Sequence, residues 1–485
     1  MLRVYRFISQ LHENPRLIGF ASTRAGQFLV WLTATLLLSP NRRVALLVSP
    51  VLGLLFMFPA RRRTILALGA LAAFFKIGSD RGLAEPLPLA IGLATVLMSS
   101  YCYFILASRY RNLPGIVQRF PMAIAHLPTL ILIGVLWFRW VGVGPRELSP
   151  PLAAALSLLP FLMWRWSYLL FSGRRGHVEG TRFRDHIFYL LPSFGGSNVP
   201  FGKGYDYLSG HVADDRNAIA RSQLAGLKLL VLVILWRFVK RMLEAAAYGT
   251  HNAKINYFLG GWDMGLVPLV TQLASDSPGD VSLAVGLAMI LLSLFEHVLF
   301  IAIFGHLIIG CLRLFGFNVF RNTYKPLLAE SLVEYWNRFY YYFKELLVEF
   351  FFYPAFLAAA RLPATMRIFV SIMAAAFLGN FYYHFIRDMR LYLESPGEDI
   401  IAMLLPWLLY AFFLGIGIFV SMVREKKRRR NKLSHRSAGA RALVRVRRIL
   451  GVWAFYGFLL IWIAGPPSIT IGSRWQFLQA LIPIH

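Results

Sequence analysis

Residues 281–304 read VSLAVGLAMILLSLFEHVLFIAIF. Glu296 and His297 interrupt an otherwise apolar run that is long enough to cross a bilayer, which takes about 20 mainly apolar residues. Three more stretches are of the same kind: PLPLAIGLATVLMSSYCYFILA at 86–107, FPMAIAHLPTLILIGVLWF at 120–138 and IIAMLLPWLLYAFFLGIGIFVSMV at 400–423. A soluble helical core would have to hide such blocks on all sides, repeatedly, in one chain. The sequence therefore predicts an all-α, polytopic membrane protein. Apolar segments centre near 31, 51, 69, 97, 130, 160, 232, 265, 291, 349, 377, 411 and 457. About ten to twelve of them are expected to span, with re-entrant or interfacial helices besides. The weakest candidates are the segment near 265, which holds GGWDMG, and the one near 349, which carries Lys344, Glu345 and Glu349.

Charged residues make up 15% of the chain, below the roughly 25% of soluble domains. The net charge of +28 would suit nucleic acid if it were spread over one face. It sits instead between apolar blocks, at 61–63, 109–111 and 424–448, so no nucleic-acid partner is expected. Basic loops between spans mark the cytoplasmic side and grip anionic headgroups. The 61–63 and 424–448 loops are accordingly placed in the cytoplasm, the latter in part as a surface helix. The final span then leads the C-terminus outside. The basic N-terminal stretch lacks a signal-peptide pattern and is expected as an amphipathic lead-in on the cytoplasmic face. Cys102 and Cys311 form no spaced pattern, so neither a disulfide framework nor a metal site is implied. No glycine-rich nucleotide loop is present.

Three regions break the apolar pattern. Residues 171–226 are polar and rich in glycine and proline, which predicts loops and short re-entrant pieces. Within them FYLLPSF reads as a half-helix ending at Pro192, and Asp214 or Asp215 as the cap of a following span. Residues 316–354 mix aromatics with Glu330, Glu334, Asn337, Arg338, Lys344, Glu345 and Glu349. Glu334 and Arg338 are spaced to pair on one helix face, Glu345 and Glu349 to repel, and Pro354 to stop the helix. Glu296 and His297 are expected either to pair with each other or to face a functional cavity.

The segment EYWNRFYYYFKELLVEFFFYP at 334–354, its lead-in from 316, and GNFYYHF at 379–385 resemble the two signatures of the membrane-bound O-acyltransferase family. The nearest likeness is to its bacterial alginate and cell-wall polymer branch. Trp336 and Arg338 fall on the family's Trp and second Arg, Tyr340 where bacterial members usually carry His, and Tyr383-His384 on the Trp-His pair. FYLLPSFGGSNVPFGKGYDYL at 188–208 looks like a degenerate form of the family's proline-rich stretch, without its Gly-Pro-Ile. The likeness covers about residues 150–390. It implies N-terminal membrane helices over 1–150, an acyltransferase-like core over 151–395 with the loop 171–226, and C-terminal helices over 396–485.

It also implies a transferase of the bacterial cytoplasmic (inner) membrane with no tightly bound cofactor. The enzyme would move an acyl group, acetyl above all, from an acyl-CoA-like thioester to a hydroxyl of an envelope polysaccharide or related acceptor. A separate envelope acyltransferase or polymer-synthesis subunit is the implied partner. His384 is the expected general base, since neutral imidazole accepts a proton best near pH 7. Tyr340 is expected either to donate to the acceptor or oxyanion or to fill the space of the missing imidazole. Arg338 and Lys344 are placed on donor phosphates unless Glu334 engages Arg338, and Asn380 is expected to orient the His384 ring. Trp336, Tyr341 and Tyr342 are expected to wall the channel, with Glu296 and His297 along it and residues 194–207 as its rim. Two other readings stay open: a non-catalytic scaffold of a polymer export or modification complex, and a transporter or flippase.

Overall fold

A computed structural model describes residues 10–80, 86–127, 130–131, 134, 150–191, 201–394, 400–430, 438–466 and 469–482. The described chain is helical, with one isolated backbone bridge between Val212 and Phe317. The helices used below are α1 (Arg24–Leu38), α2 (Arg42–Met57), α3 (Arg62–Asp80), α4 (Pro86–Ser108), α5 (Pro150–Arg174), α6 (Phe183–Leu190), α7 (Arg216–Tyr248) and α8 (Leu283–Leu314). They continue as α9 (Leu332–Phe339), α10 (Tyr341–Leu347), α11 (Tyr353–Ala358), α12 (Ala364–Ile372), α13 (Asn380–Glu394), α14 (Ile400–Arg430), α15 (Ala438–Ile463) and α16 (Ile471–Leu481). Among the described residues, six helical stretches are long and apolar enough to cross a membrane: Leu89–Ser108, Arg216–Tyr248, Leu283–Leu314, Ala364–Met389, Ile401–Lys426 and Gly439–Ile463. Only 28% of the Leu283–Leu314 window is buried within the protein, so its apolar surface needs lipid. The chain is an all-α polytopic membrane protein.

The chain divides into two compact units, the first comprising residues 1–233, 305–321 and 387–396 and the second the remainder. In the first unit α4 and α5 lie backbone to backbone. A Cβ on Gly173 would collide with the Ala107 carbonyl. Trp166 stacks on Tyr103 at 4.6 Å and donates its indole N–H to Ser100 at 3.0 Å. Such close approach through small residues, with polar side chains as glue, is how helices associate in lipid.

The crossing of α7 and α8 follows the same rule. A Cβ on Gly226 would meet the Gly310 carbonyl at 2.8 Å, and Ser222 donates to the Arg313 carbonyl at 2.9 Å. Gly226→Leu must push two backbones apart, which costs about 1–3 kcal/mol or more. A lower unfolding midpoint and an early-eluting, aggregated fraction are expected on gel filtration in detergent; an unchanged midpoint would contradict the close crossing.

The half-helix expected before Pro192 is α6, which ends at Leu190; Pro192 itself lies outside the described residues, as do residues 194–200 of the expected rim. Asp215 caps α7, its carboxylate accepting from the Ala218 N–H at 2.7 Å. Residues 262–268, the centre of the weak segment near 265, are not helical and form no span. Of the basic stretch 424–448, residues 424–430 continue α14 and 438–448 open α15, while 431–437 lie outside the described residues.

Two expectations fail. Pro354 does not stop a helix: α10 widens into a π-helical turn over Val348–Phe352 and continues as α11 to Ala358, with Pro354 in its first turn. Proline breaks an α-helix by removing an i→i−4 donor, and a wider turn displaces that ladder. Nor do Glu296 and His297 pair. Glu296 faces Tyr248 of α7, whereas the His297 ring lies 5.4 Å from Phe339. Consecutive helical residues project about 100° apart, so each finds its partner on a different neighbour.

Candidate functional site

The second unit brings both family-like segments to one place. α9 is capped by Ser331, whose hydroxyl accepts from the Glu334 N–H at 3.1 Å. Glu334 in turn accepts from the Glu330 N–H at 2.6 Å and pairs with Arg338 at 2.5 Å. The helix breaks at Tyr340, where φ is −140° and ψ is 72°. A break leaves carbonyl and N–H groups without helical partners. Residues 322–324 supply them. Thr323 donates to the Phe339 carbonyl at 2.8 Å, the Tyr324 N–H to the Arg338 carbonyl at 2.7 Å, and the Tyr341 N–H to the Asn322 carbonyl at 2.9 Å. The elbow at Tyr340 is thereby fixed, and a new helix leaves it carrying Phe343.

Phe343 is the meeting point. Trp336 lies 5.8 Å from its ring, Tyr340 5.5 Å, Tyr383 4.5 Å and His384 6.1 Å, centroid to centroid. The Ala364–Met389 span delivers the last two after a second π-helical segment, Met373–Gly379. That segment is held from both sides. A Cβ on Gly379 would sit 2.7 Å from the Phe351 ring, and one on Gly415 of α14 would sit 2.8 Å from the Met373 sulfur. π-Helical turns are rare and concentrate at functional sites.

The half-buried His384 ring stacks on Trp407 at 3.9 Å with an interplanar angle of 22°, and Tyr410 stands edge-on at 6.4 Å. Burial, with Tyr410 close by, pushes the Tyr335 hydroxyl well above its usual pKa, so it stays protonated. Tyr335 also stacks on Tyr456 at 3.8 Å.

Asn380 is fully buried, and neither its amide nitrogen nor its oxygen has a protein partner. It does not orient the His384 ring by a hydrogen bond; Trp407 holds that ring by stacking. An unpaired buried polar group costs about 1–3 kcal/mol. Arg338 and Lys344 are each engaged by a neighbouring acid, Glu334 and Glu345, the latter at 2.6 Å. Lys344 also lies 5.1 Å from the Tyr341 ring. Tyr342 is buried and packs edge-on against Tyr341 at 5.0 Å. Glu330 is bridged by Arg445 at 3.1 Å and Arg448 at 3.2 Å. Glu296 and His297 reach the neighbourhood through α8, His297 against Phe339 and Glu296 with one oxygen unpartnered.

Sequence reasoning missed Phe343, Trp407 and Tyr410. The signal for the last two was present in PWLLY at 406–410, where Trp407 and Tyr410 share a helix face three residues apart. Neither a scan against protein-family models nor a search of curated proteins returned a match to this chain.

Proposed function

We propose that the chain is a membrane O-acyltransferase of a bacterial inner membrane, with His384 as general base and an envelope polysaccharide hydroxyl as acceptor. One observation carries the reading: Trp336, Tyr340, Tyr383 and His384, from two segments far apart in sequence, ring a single side chain, Phe343. Those are the positions at which the chain resembles the acyltransferase family.

In this reading an imidazole nitrogen of His384 takes the proton of the acceptor hydroxyl as its oxygen attacks the thioester carbonyl. The tetrahedral intermediate collapses, the C–S bond breaks, and the leaving thiolate recovers the proton from the imidazolium. Trp407 fixes the ring plane, and a ring already in place removes an orientational cost from the reaction. Tyr340 is the donor this reading assigns to the acceptor or the developing oxyanion. With Arg338 and Lys344 held by acids, recognition of the donor rests on its thioester end.

Purified protein in nanodiscs, given radiolabelled acetyl-CoA and hydroxyl-bearing polysaccharides, should move label into the polymer. Counterflow of an unmodified solute without label transfer would favour a transporter. Absence of both activities beside a stable complex with a polymer-synthesis subunit would favour a scaffold.

A further inference from the structure

A cavity of about 870 Å³ in the first unit takes no part in the chemistry above. The start of α1, the corner between α2 and α3, the start of α7 and the end of α8 meet around it. Its amide groups are already bonded. Gln27 donates to Gln223 at 2.8 Å and to the Ala21 carbonyl at 2.7 Å, and Gln223 donates to the Leu314 carbonyl at 3.2 Å. Arg62 closes one wall, donating to the Phe315 carbonyl at 2.6 Å and lying 4.7 Å from the Phe317 ring.

Arg24 and Arg216 differ from Arg62. Both line the cavity, both are exposed, and neither side chain has a hydrogen-bond or ion-pair partner among the described residues. Each occupies the first position of its helix, α1 and α7. A cation there opposes the helix dipole and costs helix stability. Among the cavity's lining residues one carboxylate, Asp214, faces the three guanidiniums; Asp215 is occupied as the cap of α7. The cavity is therefore positive, and its unspent donors are arginine forks.

Apart from Ser22, whose hydroxyl donates to the Gly19 carbonyl at 2.8 Å, the rest of the lining is apolar, with Leu55, Met57 and Ile219 among it. Phe28, Leu54 and Phe58, on and beside α1 and α2, are exposed. A charged recess that opens onto apolar helix surface matches a molecule with an anionic head and hydrocarbon tails. Arginine forks suit phosphate, and basic pockets between spans bind anionic headgroups.

We propose that this cavity seats the phosphate of an anionic phospholipid between Arg24 and Arg216, with the acyl chains along the exposed faces of α1 and α2. The full-length protein in detergent micelles doped with phosphatidylglycerol or phosphatidylcholine, read by native mass spectrometry, tests it. Phosphatidylglycerol adducts should persist where phosphatidylcholine adducts do not, and inorganic phosphate should displace them only weakly. R24Q/R216Q should weaken phosphatidylglycerol binding about 30-fold, and R24K/R216K distinctly less. Equal retention of the two lipids by the unmodified protein would overturn the proposal even if the variants failed to fold. Equal retention by R24Q/R216Q would move the site elsewhere. Inorganic phosphate binding with no preference for phosphatidylglycerol would assign the arginines to a soluble anion and overturn the lipid.

Discussion

Replacing His384 with alanine should lower acyl transfer by roughly 10²- to 10⁴-fold, the usual contribution of a general base. The effect should fall on turnover more than on donor affinity if, as proposed, the ring takes the acceptor's proton. Alanine also removes the partner of Trp407, which lies 3.9 Å away, so a loss of activity alone could reflect a loosened wall. His384→Phe separates the two causes. A phenyl ring keeps the stacking surface and has no nitrogen, so it should preserve the unfolding midpoint and still be inactive. Trp407→Ala should give an intermediate defect by freeing the ring plane. Full transfer by His384→Phe would sink the base assignment.

Arg474→Leu should destabilise the protein by on the order of 3–5 kcal/mol. Arg474 sits on α16 with 1% of its surface exposed. Its guanidinium donates to the carbonyls of Ile461, of Ala464 at 3.1 Å and of Ile469 at 3.4 Å, closing the C-terminal end of α15. Burial lowers its pKa to about 10, so it remains a cation at neutral pH, facing the negative end of a helix dipole. Leucine fills part of the volume and leaves those carbonyls without a donor in a dry site. The core that α16 helps to form, with Leu269, Leu273, Met289, Ile461 and Phe477, should loosen with it. Intrinsic tryptophan fluorescence during heating reads the loss, and an unchanged midpoint for Arg474→Leu would remove Arg474 from the structural account. Arg474→Lys should fall between the two, since one ammonium cannot span three carbonyls.

The parts of this fold that are legible in sequence are those set by local chemistry. Long apolar runs declare spans, because a bilayer leaves the backbone few alternatives. The cap at Asp215 and the short helix before Pro192 follow from residues within a turn of one another. The pairing of Glu334 with Arg338 is a same-face relation on one helix. What could not be read depends on neighbours distant in sequence. Whether Glu296 meets His297 or Tyr248 is decided by where α7 packs. That Trp407 rather than Asn380 holds His384 is decided by α14. The π-helical turns have no cue of their own in FVSIMAAAFLGN or LLVEFFFYP. They arise where ring and glycine interlock, as Phe351 does with Gly379. At the candidate site the resemblance singled out His384 and Tyr340, while the aromatic frame around them emerged only in three dimensions.

The Met373–Gly379 segment sets the phase of the span that contains it. One residue more per turn rotates everything downstream by about 100° relative to an uninterrupted helix. A helical wheel drawn at constant pitch from Ala364 therefore assigns His384 to the wrong side of its own helix. The two halves of the span obey separate registers: the first half answers to lipid and to Phe419 of α14, the second to Phe343 and to Trp407, farther toward the start of α14. Each half is thus free to vary its pattern of large and small residues without turning the other.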